Sequence, residues 1–261
     1  MIESVRKATR ILSALSDAAA KALTLTEISG RTGFPKPTCA HILKTLCEEG
    51  YALRISHNEG YTLGPVAYYL TRHGRYEEEL ITLCRPVMRY MEKRSGAAVI
   101  LAVIRNCDKF IIDTHDSSHQ MFKEDVQIRI DDIYRTAAGR AILAEMCDED
   151  VIAVYQKHGP PPKGHWDEVD SVESLLSELK QLRKKKIVIT RGSRSKNDRA
   201  ALGIAKALFD KNHCVGAIGL AVWDEGIDEE ALTRLRGLLT KGAAEIQRRL
   251  DFEKNEKQPI D

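Results

Sequence analysis

A short stretch near the N-terminus carries polar side chains suited to binding a nucleic acid. Residues three and four apart are neighbours on a helical surface, and the spacing here predicts a shared face. Lysines attract phosphates, whereas hydroxyl and imidazole groups can hydrogen-bond to base edges. The candidate residues are Lys36, Thr38, His41, Lys44 and Thr45.

Three further candidates, Arg54, His57 and Asn58, lie just downstream. Residues 51–56 and 60–63 read as two short extended segments. The connection between them is polar and ends in Gly60. This pattern predicts a β-hairpin whose tip or edge could lie along DNA.

Three predicted helices would position the candidates between Lys36 and Thr45. Residues 4–18 have apolar residues at helical spacing. Thr24 and Glu27 form a capping box for a helix over 25–32, which ends at Gly33. Pro37 suits the first position of a third helix that runs to residue 49.

Helix, helix, turn, helix and hairpin is the order of a winged helix-turn-helix, whose third helix enters the major groove. Residues 1–75 carry ten Lys or Arg against six acids, and a basic module of this kind suits DNA. The pattern alone leaves two alternatives open. The polar face could be an ordinary solvated surface, or the winged helix could serve protein contacts only.

The rest of the chain predicts a second, mixed α/β domain, so the fold class is α+β. Helices are expected over 76–94, 136–146, 171–186 and 228–250, and strands over 98–104, 109–113, 187–190, 201–209 and 215–223, with another near 128–130. We assign 1–72 to the winged helix-turn-helix, 73–95 to a linker helix, 96–250 to the second domain and 251–261 to a charged tail.

The clearest candidate for ligand chemistry in the second domain is the helix start Thr136-Ala137-Ala138-Gly139. The first amides of a helix lack intrahelical acceptors and can bind an anion. An equally good alternative is that these small residues only let the helix pack closely.

Other clusters are less specific. The basic stretch 184–199 could be a solvated surface, an electropositive rim for an anion, or an added DNA or partner contact. His115 and His119 lie near two aspartates, but no helical spacing would make them converge on a metal. No catalytic motif is present. We therefore expect no enzyme activity, no cofactor and no metal.

Several segments together resemble the IclR family of bacterial transcriptional regulators, over about residues 4–250. No single motif is specific, but the set occurs in the family's order. The segments are 4–15, 24–28, 32–38, 50–51, 60–64, 85–88, 136–144 and 215–218.

The resemblance implies a homodimer or tetramer that binds a partly palindromic operator in double-stranded DNA, as a repressor or an activator. It implies a GAF/PAS-like second domain, a twisted antiparallel sheet flanked by helices, which holds a small organic effector. In the family, residues 136–139 line that pocket.

Departures from the family pattern concern the effector. The resemblance places a cysteine where this chain has Gly203, and small hydroxyl residues where it has Gly219 and Ala221. An anionic ligand would then keep mainly the amides of 136–139. We expect a roomier cavity for a bulkier ligand with one anionic end, provided that Ile204, Ile218 and Leu220 face inward, or a domain that no longer senses a ligand.

Two expectations concern the whole chain. There is no secretory signal and no apolar run long enough to span a membrane, which predicts a cytoplasmic protein without membrane partners. Dimerisation should use apolar helix faces, and the candidates are residues 11–15 and 68–70 together with 80–91.

Overall fold

The computed structural model describes residues 2–18, 21–56, 60–70, 77–118, 129–193 and 200–256. The chain divides into two compact units, Met1–Arg75 and Tyr76–Asp261. The finer boundaries at 72 and 95 stay a prediction.

The first unit contains the predicted elements of a winged helix-turn-helix and one more helix. They are α1 (Glu3–Ser16), α2 (Leu25–Thr32), α3 (Lys36–Glu48), β1 (Ala52–Ser56), β2 (Gly60–Leu63) and α4 (Pro65–Tyr69). The helix α4 is absent from the sequence-based expectation. Its first residue is a proline, which suits a helix start.

The starts of α2 and α3 show how local sequence sets helix boundaries. The capping box is confirmed: the Thr24 hydroxyl accepts from the Glu27 amide, and the Glu27 carboxylate accepts from the Thr24 amide at 2.8 Å. Helix α3 begins at Lys36, so the prediction that Pro37 is the first helical residue is wrong by one position. The second position also tolerates proline, because its amide likewise has no intrahelical acceptor.

The hairpin is tied to the chain segment before α2. Leu23 and Tyr61 exchange two backbone hydrogen bonds, both of 2.8 Å. Gly60 precedes this bridge with a φ of +97°, and a Cβ there would overlap the carbonyl of Leu23. Only glycine therefore allows the third extended segment to join the hairpin.

The second unit contains five helices and six strands among its described residues. They are α5 (Glu78–Ser95), β3 (Ala98–Arg105), β4 (Asp108–His115), β5 (Arg129–Asp131), α6 (Ala137–Glu145), α7 (Asp148–His158), α8 (Val172–Lys185), β6 (Val188–Ser193), β7 (Ala200–Asp210), β8 (His213–Trp223) and α9 (Glu229–Glu256).

The six strands form one antiparallel sheet in the order β5-β4-β3-β8-β7-β6. Helices α5 and α9 share one hydrophobic core with one face of the sheet. Helices α6, α7 and α8 share a second core with the other face. Burial on both faces explains why β3 is an almost continuous apolar run.

The two faces of β7 and β8 differ in side-chain size. Large residues such as Leu202 and Ile218 point towards α5 and α9. The alternate positions, which face α6, are all glycine or alanine: 201, 203 and 205 on β7, and 217, 219 and 221 on β8. These small residues let α6 approach the sheet closely.

Helix α5 belongs to the core of the second unit. Leu80, Val87 and Met91 are buried against the sheet and α9. Ile11 and Leu15 are likewise buried in the core of the first unit. Most of the apolar side chains over 11–15 and 80–91 are therefore buried within their own units, although Tyr90 is exposed. The assignment of these faces to a dimer interface stays a prediction.

No helix within the described ranges is both long and apolar enough to cross a membrane.

The geometry at Gly60 yields a stability prediction. We expect Gly60→Ala to lower the unfolding free energy by about 3 kcal/mol or more, because it combines a left-handed backbone with a steric overlap. Gly33→Ala is the matched control: its φ is +73°, but a Cβ there meets open space. It should cost only about 1–2 kcal/mol. Urea unfolding of both variants measures the difference, and equal losses would contradict the steric explanation.

Candidate functional site

Helix α3 presents the predicted polar stripe to solvent. Its other side is anchored in the first unit's core by Cys39 and Leu43, both fully buried. The exposed side carries Lys36, His41, Lys44 and Thr45, with Thr38 half-buried beside them. This is the geometry that a groove-reading helix requires.

The turn before α3 is held rigidly through one carbonyl. The Phe34 carbonyl accepts from the Ser29 hydroxyl at 2.6 Å and from the Cys39 thiol at 3.7 Å. Lys7 and Arg10 of α1 lie over the Phe34 ring, 5.9 and 5.8 Å from its centroid. Sequence analysis missed this pair, because only the fold brings α1 to the turn.

The remaining predicted DNA contacts lie on or near the hairpin. Arg54 is exposed on β1, with its guanidinium 5.8 Å from the ring centroid of Tyr61 on β2. His57 and Asn58 lie outside the described residues. On α3, Lys44 forms an exposed ion pair with Glu48 at 3.9 Å.

A small cavity of about 40 Å³ lies between the start of α6 and the sheet. Every described strand of the sheet except β5 contributes residues to its lining. Thr136, Ala137, Ala138, Gly203, Gly219 and Ala221 of the predicted effector set line it, together with Ile100, Lys109, Arg135, Thr190, Gly192, Ala201, Leu202, Ile204 and Leu220.

The hydroxyl of Thr136 organises the start of α6. It accepts from the Gly139 amide at 3.2 Å and from Lys109 Nζ at 2.7 Å. The amides of Ala137 and Ala138 then remain without an acceptor inside the helix. Both residues line the cavity, so the helix start can serve as an anion site there.

Gly139 acts through packing. It does not line the cavity, its amide is engaged by Thr136, and a Cβ would overlap the carbonyl oxygen of Ile133. Close packing is observed at Gly139, whereas an anion site at the start of α6 stays a prediction. Residues 136–138 face the cavity, whereas Gly139 permits the close contact.

The glycines on β7 and β8 do not leave a large void. A Cβ on Gly203 would lie 3.1 Å from Thr190 Oγ1 and 3.5 Å from the Ala137 Cβ, so neighbours already occupy that space. Ile204, Ile218 and Leu220 belong to the core on the opposite face. Ile204 and Leu220 border the cavity, but their side chains lie in the core on the opposite face of the sheet. The condition for a roomier cavity, that these three side chains face inward, is therefore not met.

Sequence analysis also missed Lys109 and Arg135. Lys109 is only 2% exposed, although it is a lysine. The Nε atom of Arg135 is buried and has no hydrogen-bond partner. The available signal was that Lys109 shares a strand face with the buried Ile111, which is unusual for a lysine.

Side chains that do not line the cavity stabilise the loop before α6. Asp132 accepts from the amides of Tyr134 and Arg135 at 2.9 and 3.0 Å. Arg140 donates to the Tyr134 carbonyl and lies 4.1 Å from the Trp166 ring centroid. Burial lowers the pKa of Arg140 to about 10, so it stays charged at neutral pH.

Two further clusters were considered in the sequence, one around His115 and one over residues 184–199. His115 Nε2 lies 3.7 Å from the Asp113 carboxylate, which pairs with Arg85 at 3.1 Å. No group of three potential metal ligands occurs among the described residues, and His119 lies outside them. In the basic stretch, Arg191 approaches Asp224 at 3.6 Å, while 194–199 are not described.

Comparison with known families gives two matches that follow the division into two units. Residues 4–55 match the profile of the IclR helix-turn-helix domain. Residues 76–248 match the profile of the bacterial transcriptional regulator IclR C-terminal domain. Together the two profiles cover most of the chain.

Individual relatives are distant. The transcriptional repressor IclR of Escherichia coli K12 is 24% identical over 231 residues, which is 86% of this chain and 81% of that protein. An IclR transcriptional regulator from Alicyclobacillus acidocaldarius has a similar fold, with a TM-score of 0.72, 20% identity and coverage of 96% and 99%. An IclR homologue from Microbacterium hydrocarbonoxydans, solved with 4-hydroxybenzoate, has a TM-score of 0.70, 18% identity and coverage of 95% and 99%.

The network at Thr136 yields a second stability prediction. Thr136→Val should lower the unfolding free energy by about 2–4 kcal/mol, because it removes a helix cap and an acceptor for a buried ammonium. Thr136→Ser keeps the hydroxyl and should cost less than about 1 kcal/mol. Urea unfolding compares the two, and a valine variant as stable as the serine variant would refute the role of the hydroxyl.

Proposed function

The chain belongs to the IclR family of transcriptional regulators, and we propose that it reads its operator with the exposed face of α3. As an IclR-type regulator, it combines a DNA-binding domain with a C-terminal effector-binding domain. The observation that supports the residue assignment is the orientation of α3, with Cys39 and Leu43 inside and the polar stripe outside.

The polar side chains divide into two roles. Lys44 and Arg54 carry exposed charges and would contact phosphates, which position the protein on the duplex. Thr38 and His41 lie on the same helix face and would contact base edges. Lys36, Thr45, His57 and Asn58 complete the proposed interface. Glu48 pairs with Lys44 and would have to release it to a phosphate.

We propose that a small organic effector occupies the α6 cavity and controls binding to a partly palindromic operator. The relative from Escherichia coli and the acetate operon repressor of Salmonella typhimurium are both named repressors, which favours repression. The homologue bound to 4-hydroxybenzoate supports an organic ligand in this fold. Such a regulator acts in the cytoplasm and catalyses no reaction.

Binding to a partly palindromic site calls for a homo-oligomer. Among the described residues, the first unit leaves a few large apolar side chains exposed at its N-terminus and at the C-terminal end of α4. They are Ile2, Val5, Tyr68, Tyr69 and Leu70. These replace the buried faces as the proposed dimer contact, and only 68–70 was among the earlier candidates.

The DNA interface can be tested by binding at two salt concentrations. Lys44→Ala and Arg54→Ala should each weaken binding to all sequences and lower the salt slope by about one unit, because each removes a phosphate contact. Thr38→Ala and His41→Ala should instead reduce the preference for the promoter next to the gene over random DNA. Fluorescence anisotropy measures both quantities.

Lys180→Ala is the matched control for the lost charge, because Lys180 is exposed on α8 in the second unit. It should leave the salt slope unchanged. If the affinity of the wild type for the promoter does not change with salt concentration, the winged helix does not bind DNA phosphates. Protein contacts would then be the better explanation for it.

The proposed dimer contact predicts the effect of one added charge. Val5→Glu should raise the dimer dissociation constant roughly tenfold or more, because an unpaired carboxylate in an apolar contact loses its hydration. Phe252→Glu, at another exposed apolar residue, is the control and should not. Sedimentation velocity at micromolar concentration distinguishes them. A monomeric wild type, with and without DNA, would rule the dimer out.

A further inference from the structure

The edge of the sheet is not covered along the whole of β7. Strand β6 pairs with β7 only as far as the pair Val188–Ala205, whereas β7 continues beside β8 to Asp210. The chain enters β6 directly from α8, through Lys186 with a φ of +58°. No strand in the described part of the chain therefore pairs with residues 206–210 on this side. Unpaired edges are where β-sheets accept a further strand.

A groove of about 670 Å³ runs along this free edge, and we call it the β7 groove. Residues of β7, residues near the ends of α6 and α8, and one face of α9 line it. Helices α6 and α8 pack on one face of the sheet and α9 on the other, so the edge lies between two walls. An extended segment that enters the β7 groove therefore meets the edge of the sheet and not one of its faces.

Gln247 of α9 shows how a partner would pair with this edge. Its Oε1 accepts from the Phe209 amide at 3.2 Å, and its Nε2 donates to the Phe209 carbonyl at 2.7 Å. A residue of an antiparallel strand exchanges the same two hydrogen bonds with the residue opposite. The side chain of Gln247 thus occupies the place of a strand residue, and the backbone groups of Phe209 point away from β8.

The β7 groove is basic. Its cations are Arg183, Lys186, Lys206 and Lys211, against the carboxylates of Glu145 and Asp251. None of the three lysines forms an ion pair with another described residue. Lysines at an edge discourage two copies of one chain from pairing, because like charges would meet. The same lysines favour a strand of opposite charge.

We propose that the β7 groove binds an extended acidic segment of another protein, which adds a strand to the sheet. Main-chain hydrogen bonds to β7 would supply affinity, and the lysines would select acidic side chains. At ~3.4 Å per residue the free edge is about 17 Å long, so a short segment suffices. The partner strand would replace Gln247 at Phe209. The phosphates of DNA offer acceptors without donors, so they cannot pair with the edge in this way.

The test uses the full-length protein and a short fluorescent peptide that alternates Glu and Val. Control peptides of the same length carry Gln or Lys in place of Glu. Another keeps Glu but has N-methyl groups on its backbone amides, which removes the donors for strand pairing. Fluorescence anisotropy should show that the Glu peptide binds about tenfold or more tightly than the Gln peptide. The Lys peptide and the N-methylated peptide should not bind measurably.

Variants of the protein locate the binding. Lys206→Glu reverses a charge in the β7 groove and should weaken binding of the Glu peptide about tenfold or more. Lys163→Glu makes the same change in the loop after α7, outside the groove, and should leave it unchanged. Ala244→Trp fills the groove from an exposed position on α9 and should abolish binding. Gln247→Ala frees Phe209 and should tighten binding about threefold or more. Thermal unfolding shows whether each variant folds.

Several results would overturn the inference. The first is that no peptide binds, or that the Glu and Gln peptides bind equally. Strand pairing is refuted if the N-methylated peptide binds as tightly as its parent, or if Gln247→Ala does not tighten binding. If folded Lys206→Glu and Ala244→Trp variants bind like the wild type, the peptide binds elsewhere. If Lys206→Glu lowers the salt slope of DNA binding, the cations of the groove bind nucleic acid instead.

Discussion

The second unit depends on how closely the start of α6 can approach the sheet. Gly139 has no room for a Cβ beside the Ile133 carbonyl, and the strand positions that face α6 on β7 and β8 are all glycine or alanine. Interiors are close-packed, so a single added methyl group here would move the helix. The close approach brings the N-cap Thr136 within reach of Lys109 on β4. Packing of small residues thereby creates a polar site.

In the first unit, contacts between neighbouring helices are likewise centred on one group, the carbonyl of Phe34. This carbonyl sits in the turn between α2 and α3, where no helix or strand can satisfy it. The Ser29 hydroxyl and the Cys39 thiol donate to it from the two flanking helices. The angle of the turn is therefore fixed from both sides. A rigid turn presents the α3 stripe in one orientation, which base recognition requires.

Local signals predicted much of this architecture, and long-range contacts explain what was missed. The capping box at Thr24, the stop at Gly33 and the α3 stripe depend on residues a few positions apart, so the sequence suffices. Lys109 follows a turn and looks like an ordinary surface residue in isolation. Its burial depends on α6, which begins 28 positions later. The small cavity was missed for the same reason, because the positions of Thr190 and Ala137 relative to Gly203 follow from the fold.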